Sequence, residues 1–357
     1  MSHSRPVLLI GSINLSDRDE VFSAVSSHLK DEVRSVPDGE TGARGTFAAW
    51  ALNRINTSPE VQVVDTLVFE TPQQPRPVEV TLLAPAEGVD PVKMTIGPFG
   101  YAEEAVASYE AFRRAREDGL FNAETRFQIS LPTPMWFAMM FVGHRREVLG
   151  AIERGLAAEI AAFLEEIPAD DVAIQCDAAL ETVQLDQYAR GLPPLMPEDP
   201  WPLEEATESI ARVSADIPDE AMLGLHICYG DADGKHALEP LDLGHAIDIA
   251  NSASQFVERR LDYVHMPVPI ERDDDAYFAP LSRLDLQSET QLYLGLLHIE
   301  DGMEGALRRM RAATRYRHDF GVATECGMGR EDHDAIEPLL RLHHDAAVVM
   351  EANVAAE

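Results

Sequence analysis

Three residues in this sequence have the chemistry to hold a metal ion together: His226 and Cys228 in LGLHICYGD (223–231), and Cys326 in TECGMGR (324–330). Residues two apart on a strand point to the same face, so the imidazole and the first thiol can converge on one ion without distorting the backbone. Zinc takes imidazole nitrogen at about 2.0–2.1 Å and thiolate sulfur at about 2.3 Å, distances such a pairing satisfies. The chain has three cysteines in 357 residues, an odd and sparse set that fits free thiols in a reducing compartment better than a disulfide framework. Strand alternation turns the remaining one, Cys176, away from the side of Asp177, and it reads as a small packing residue. Three protein ligands keep one coordination position open, as catalytic zinc does.

Bringing these residues together requires strands that end at one place. Eight short apolar runs are visible: VLLIGSI (7–13), VRSVPD (33–38), RFQISLP (126–132), VAIQCD (172–177), MLGLHIC (222–228), LDYVHMP (261–267), QLYLGLL (291–297) and FGVATEC (320–326). Most lead through polar or glycine-containing turns into longer amphipathic stretches. That alternation, with no linker inside it, predicts one α/β domain over residues 1–357, a closed (β/α)8 TIM barrel with insertions. The length beyond a typical barrel is placed in an insertion at about 57–125, holding VQVVDTLVF, VEVTLLAP and the helix YAEEAVASYEAFRRARE, and in the proline-rich GLPPLMPEDPWP (191–202). Barrel chemistry gathers at the C-terminal strand ends. Ser12, Asp38, Asp177, His226, Cys228, His265 and Cys326 all fall near such ends. In a closed barrel the fifth and eighth strands open onto the same mouth, so Cys326 can supply a third ligand across it.

Composition narrows the partners. Twenty-nine basic against 62 acidic residues give a formal charge of −33, which argues against a nucleic-acid backbone or an anionic membrane surface. Most of the acids read as a solvated surface. No apolar run approaches the roughly 18 residues of a membrane span, and the start MSHSRPVLLIGSINLS lacks the pattern of a secretory leader. The expectation is a cytoplasmic protein working on small molecules as a monomer or homodimer.

Taken in order, these motifs resemble the catalytic C-terminal barrel of cobalamin-independent methionine synthase and its single-barrel relatives, among them epoxyalkane:coenzyme M transferase. IGS (10–12) is similar to that family's opening IGS, DGETGAR (38–44) to its HGE-x-x-R, IQCDAALE (174–181) to its IQIDEPAL, HIC (226–228) to its zinc-binding H-x-C, and ATECGMGR (323–330) to its NPDCGLKTR. The resemblance implies a UROD/MetE-like barrel whose zinc holds a thiol acceptor as thiolate for attack on a methyl or alkyl donor, with His226, Cys228 and Cys326 as ligands. Coordination deprotonates a thiol whose free pKa is about 8.5. It also implies acceptor contacts at Ser12 and Glu40, and at Asp177 where the family grips an amino group. Departures are local: DYVHMPVP stands where the family has a glutamate ligand, leaving His265 as the nearest ligand-competent residue, Ala178 replaces a glutamate, and DGE replaces HGE, setting Asp38 beside Glu40.

Further candidates follow the mouth. Arg44 can meet a sulfonate acceptor or pair with Asp38 or Glu40. Trp136 can stack on a flat donor such as a folate or fill the core. Tyr229 and Asp231 can line the mouth or orient His226. His298 and Asp301 in LLHIEDG are candidate general acid/base groups. ERDDDAY (271–277) reads as a flexible acidic loop over the mouth or a solvated turn, and His343-His344 as part of a late amphipathic helix without a catalytic role. The leading expectation is a zinc-dependent methyl or alkyl transferase acting on a small thiol and an alkyl donor. The alternatives are a zinc Lewis-acid enzyme for a carbonyl or hydroxyl substrate, and a non-catalytic zinc-binding barrel.

Overall fold

The structure, a computed structural model, describes residues 6–69, 78–193, 201–232 and 235–354. After helix α1 (Arg18–Leu29) the chain enters strand β1 (Ser35–Pro37), a short α2 (Ala49–Ile55), the hairpin β2 (Val61–Phe69) and β3 (Val78–Pro85), and helix α3 (Tyr101–Glu117). Strand and helix then alternate: β4 (Arg126–Pro132), α4 (Pro134–Met139), α5 (Arg145–Glu166), β5 (Val172–Ala178), α6 (Leu180–Ala189), α7 (Leu203–Ser214) and β6 (Met222–Ile227). A two-residue ladder, β7 (Asp231–Ala232) and β8 (Lys235–His236), precedes α8 (Gly244–Phe256), β9 (Tyr263–Pro267), α9 (Asp275–Phe278), β10 (Gln291–Leu297), α10 (Gly302–Thr314), β11 (Phe320–Thr324) and α11 (His333–Val354).

Seven of these strands form one all-parallel sheet in the order β1-β4-β5-β6-β9-β10-β11. The expected first strand, VLLIGSI, lies between the two edges of this sheet, bridging Val7 to both Val33 and Val322, Ser12 to Gly39 and Ile13 to Met328. The closed barrel is therefore present, but its eighth member is held by isolated bridges. Residues 8 and 10 still alternate with 7 and 9: Leu8 and Ile10 pack inward with Ala173, Met222, Tyr263, Tyr293 and Ala323, while Val7 and Leu9 join the core under the helices. Two glutamines account for the irregularity. Gln128 Nε2 donates to the carbonyls of Leu9 and Ile10 at 2.8 and 2.9 Å, and Gln175 Nε2 donates to Ile10 at 2.6 Å. Side-chain amides thus satisfy backbone acceptors that a ladder would otherwise have to pair.

The barrel interior is layered, as the two-residue period of β5 shows: Ala173, Gln175 and Asp177 succeed one another up its inner face. The lowest layer is apolar. Above it, level with Gln175, Gly224 opens space for Tyr263, whose ring a Cβ at position 224 would overlap. The middle layer is the glutamine network, joined by the Tyr263 hydroxyl, which donates to Gln175 Oε1 at 3.0 Å. The top layer carries the candidate chemistry, because Asp177, His226 and His265 are register partners across β5, β6 and β9.

The excursion between β1 and β4 ends in α3, which packs against α1 and α5 as a barrel helix does. Residues 194–200 of the proline-rich segment lie outside the described residues. Where the sequence suggested a flexible acidic loop at 271–277, Arg272, Arg308 and Arg315 pair with Asp274, Asp273 and Asp275, two of them reaching in from α10 and the turn that follows it. Among the described residues no helix is long and apolar enough to cross a membrane.

Candidate metal and substrate site

His226 is the penultimate residue of β6 and Cys228 the first past it, the Cys228 N–H donating to Ala178 O at 3.0 Å and its carbonyl accepting from the Thr182 hydroxyl. Cys326 lies two residues past β11, where the Thr324 hydroxyl donates to its carbonyl at 2.7 Å. One ligand atom from each of the three residues lies within 4.8 Å of the others, and Cys326 Sγ is 3.9 Å from His226 Nε2. Zinc bond lengths place tetrahedral ligand atoms about 3.5–3.8 Å apart, so this donor set fits the ion after a small contraction. The two thiols share hydrogen bonds. Cys326 accepts from Cys228, which holds its thiol well below the usual value, while the same contact and burial push Cys228 up. One of the pair is thus already biased toward the thiolate that binds metal.

Behind His226 stands His265, fully buried, with its Nδ1 2.8 Å from His226 Nδ1 and its Nε2 3.1 Å from the carbonyl of Thr324. Burial holds the His265 ring well toward its neutral form. It lies beside the cluster and not among the three converging donors.

Ser12 sits beneath the loop after β11. Its Oγ accepts from Gly329 N at 3.3 Å, and Cβ atoms at Gly327 and Gly329 would collide with its side chain. The two glycines of CGMGR are there to let that loop cross.

The opposite side of the mouth is built from the turn after β1. Asp38 is buried and accepts from Arg44, Ser108 and the Glu40 N–H. Arg44 is thus held in an ion pair with Asp38, with Glu104 at 3.6 Å. Glu40 has φ = +50°, a left-handed conformation that L side chains rarely adopt. Burial pushes its carboxyl up to about 7 against the pull of Arg44, with Asp38 and Cys326 adding to the rise. A cavity of about 20 Å³, roughly one water in size, lies between Asp38, Glu40, Arg44, Trp50 and Tyr101. Asp177 accepts from Gln175 Nε2 at 2.8 Å, and burial, then Glu40, holds its carboxyl well above the usual range. The sequence did not single out Glu181, which is 2% exposed; Thr133 donates to one of its oxygens, the other has no hydrogen-bond partner, and burial pushes its carboxyl up to about 7. A glutamate in the helix-opening ALE of IQCDAALE was the available signal.

The other candidates are placed as follows. Trp136 is buried edge-on against Phe47 and Phe137. Tyr229 is buried, its hydroxyl 3.5 Å from the carbonyl of Asp242, two residues before α8. His298 Nε2 lies 2.8 Å from Val268 O, and burial lowers the pKa of its ring. Both carboxylate oxygens of Asp301 accept from the buried Arg309 guanidinium. His343 is buried with Nδ1 on Leu339 O, and His344 meets Glu32. Burial pushes the Cys176 thiol up to about 12, as suits a packing residue.

No protein-family model matches the sequence, and no curated protein matches it. Among solved structures, the chain matches the crystal structure of a Listeria monocytogenes protein proposed to be a vitamin-B12 independent methionine synthase, with a TM-score of 0.53 and 14% identity. The match covers 94% of this chain and 96% of that one. The likeness is one of fold.

Proposed function

We propose that the protein is a zinc-dependent transferase that passes a methyl or alkyl group from a small-molecule donor to a small thiol. The observation that carries this reading is the convergence of His226, Cys228 and Cys326 at the mouth of the barrel. The likeness in fold to the Listeria protein and the order of the five motifs support it. Zinc held by these three residues would have a position left for the acceptor sulfur, lowering its pKa so that a nucleophile exists at neutral pH.

The chain's own groups then have definite roles. Asp177 and Glu40, whose carboxyls burial holds toward the neutral form, suit an acceptor bearing an ammonium group, because an arriving cation favours the carboxylate and relieves the cost of burying it. Arg44 is already committed to Asp38, which makes a sulfonate acceptor the poorer fit. A folate or another flat methyl donor would lie over the mouth, with His298 beside it to move a proton. The site works as a small-molecule pocket in the cytoplasm. A cobalt(II)-substituted sample titrated with small thiols tests the proposal: a thiol-dependent sulfur-to-cobalt absorption band is expected, with amino-bearing thiols acting at the lowest concentrations. Stoichiometric cobalt with no spectral response to any thiol would overturn it.

A further inference from the structure

His226 and His265 can share only one hydrogen between their Nδ1 atoms, which lie 2.8 Å apart. The other nitrogen of His265 faces the carbonyl of Thr324 at 3.1 Å. A carbonyl only accepts, so this Nε2 carries a hydrogen, and the Nδ1 of the neutral ring is left with its lone pair. His226 must then donate through Nδ1, and its Nε2, the nitrogen nearest Cys326 Sγ, carries the lone pair. The reverse arrangement would set a bare Nε2 of His265 against a carbonyl oxygen inside the protein, with no hydrogen between them.

We propose that His265 is a positioning residue that fixes His226 in the Nδ1–H tautomer, aims its Nε2 lone pair at the cluster, and thereby keeps the site at three protein ligands. Thr324 anchors the device at its far end. Its carbonyl holds His265 while its hydroxyl holds the carbonyl of Cys326, so one residue at the end of β11 sets two of the three ligands. The sequence suggested His265 as a ligand itself. Instead, both of its ring nitrogens are engaged, which leaves the fourth coordination position to substrate. This role rests on the metal-binding reading above, but the tautomer exists without the metal and is measured separately.

The decisive experiment is a long-range 1H–15N correlation spectrum of metal-free protein labelled with 15N-histidine, with His226 assigned against a His226→Ala variant. The expected pattern is Nδ1–H for His226 and Nε2–H for His265. His265→Phe, which keeps bulk but removes the acceptor, should release the His226 tautomer and weaken zinc in chelator competition by about 10–100-fold. His265→Asn, whose side-chain oxygen can take the place of Nδ1, should restore both. A wild-type His226 bearing its hydrogen on Nε2 overturns the proposal, as does a His265→Phe protein with unchanged tautomer and unchanged affinity. If wild-type protein takes up no zinc at all, the transferase reading fails, and the spectrum alone still decides whether His265 sets the tautomer.

Discussion

On one side of the barrel mouth, His226, Cys228 and Cys326 stand at or just past the ends of paired strands, with backbone and threonine contacts fixing both cysteines. On the other side, Asp38, Glu40 and Arg44 stand on a turn whose middle residue is strained at φ = +50°, with the Asp38 carboxyl held by Arg44, Ser108 and the Glu40 backbone N–H. The first side is organised by the sheet and gathers soft donors. The second is organised by side chains and gathers acids that burial discourages from ionising. The difference teaches that neighbouring strand ends bring soft donors together with little side-chain support, whereas the buried acids need bespoke partners.

The largest expected effect tests the first side. Cys228→Ser and Cys326→Ser should each cost about a thousandfold in zinc affinity, a share of the roughly 10–16 kcal/mol that structural sites supply, while circular dichroism stays that of the folded barrel. Retention of one zinc per chain by either variant would mean the three donors do not act as a unit.

Next comes the network beneath the second side. Gln175→Leu strands the Ile10 carbonyl's short contact, the Tyr263 hydroxyl and one partner of Asp177, and should destabilise the protein by about 3 kcal/mol in denaturant unfolding. A loss below about 1 kcal/mol would show that the irregular first strand needs no side-chain support.

Glu181 gives a smaller, pH-dependent effect. Its folded pKa, about 7, stands above its value of 4.5 in the unfolded chain. The stability it allows is therefore complete below about pH 4.5 and is lost as pH rises through 7. Glu181→Gln should flatten that decline, gaining about 2–3 kcal/mol at pH 8 and little at pH 4. Parallel stability curves for the two proteins would refute burial as the cause.

The smallest effect concerns the outer surface. At a formal charge of −33, screening should raise the melting temperature by about 2 °C between low and moderate salt. Such a gain sharpens the contrast, because acids outside respond to salt where Glu181 inside responds to pH.

Much of the scaffold was legible because buried parallel strands leave dense apolar runs, and His226 with Cys228 was legible because an i, i+2 spacing needs only one strand. What escaped depends on partners distant in the chain. Nothing near VLLIGSI says that glutamines at 128 and 175 will bond to its carbonyls. The ring rotation of His265 was not legible, because strand period gives its face while the Thr324 carbonyl engages its Nε2. Arg44's commitment to Asp38 was one of two readings, and only the turn geometry chooses between them. The acidic loop looked loose because the arginines that pin Asp273 and Asp275 lie more than thirty residues downstream.

Ser12 and the glycine loop at 327–329 meet across some three hundred residues of chain. During synthesis, therefore, the barrel stays open along one seam until the stretch from about residue 320 has left the ribosome. At roughly 5–20 residues per second, the ribosome would expose His226 and Cys228 many seconds before Cys326 exists. A half-made chain displays two of the three donors and an unsealed interior, and the pocket closes only once Cys326 has followed them.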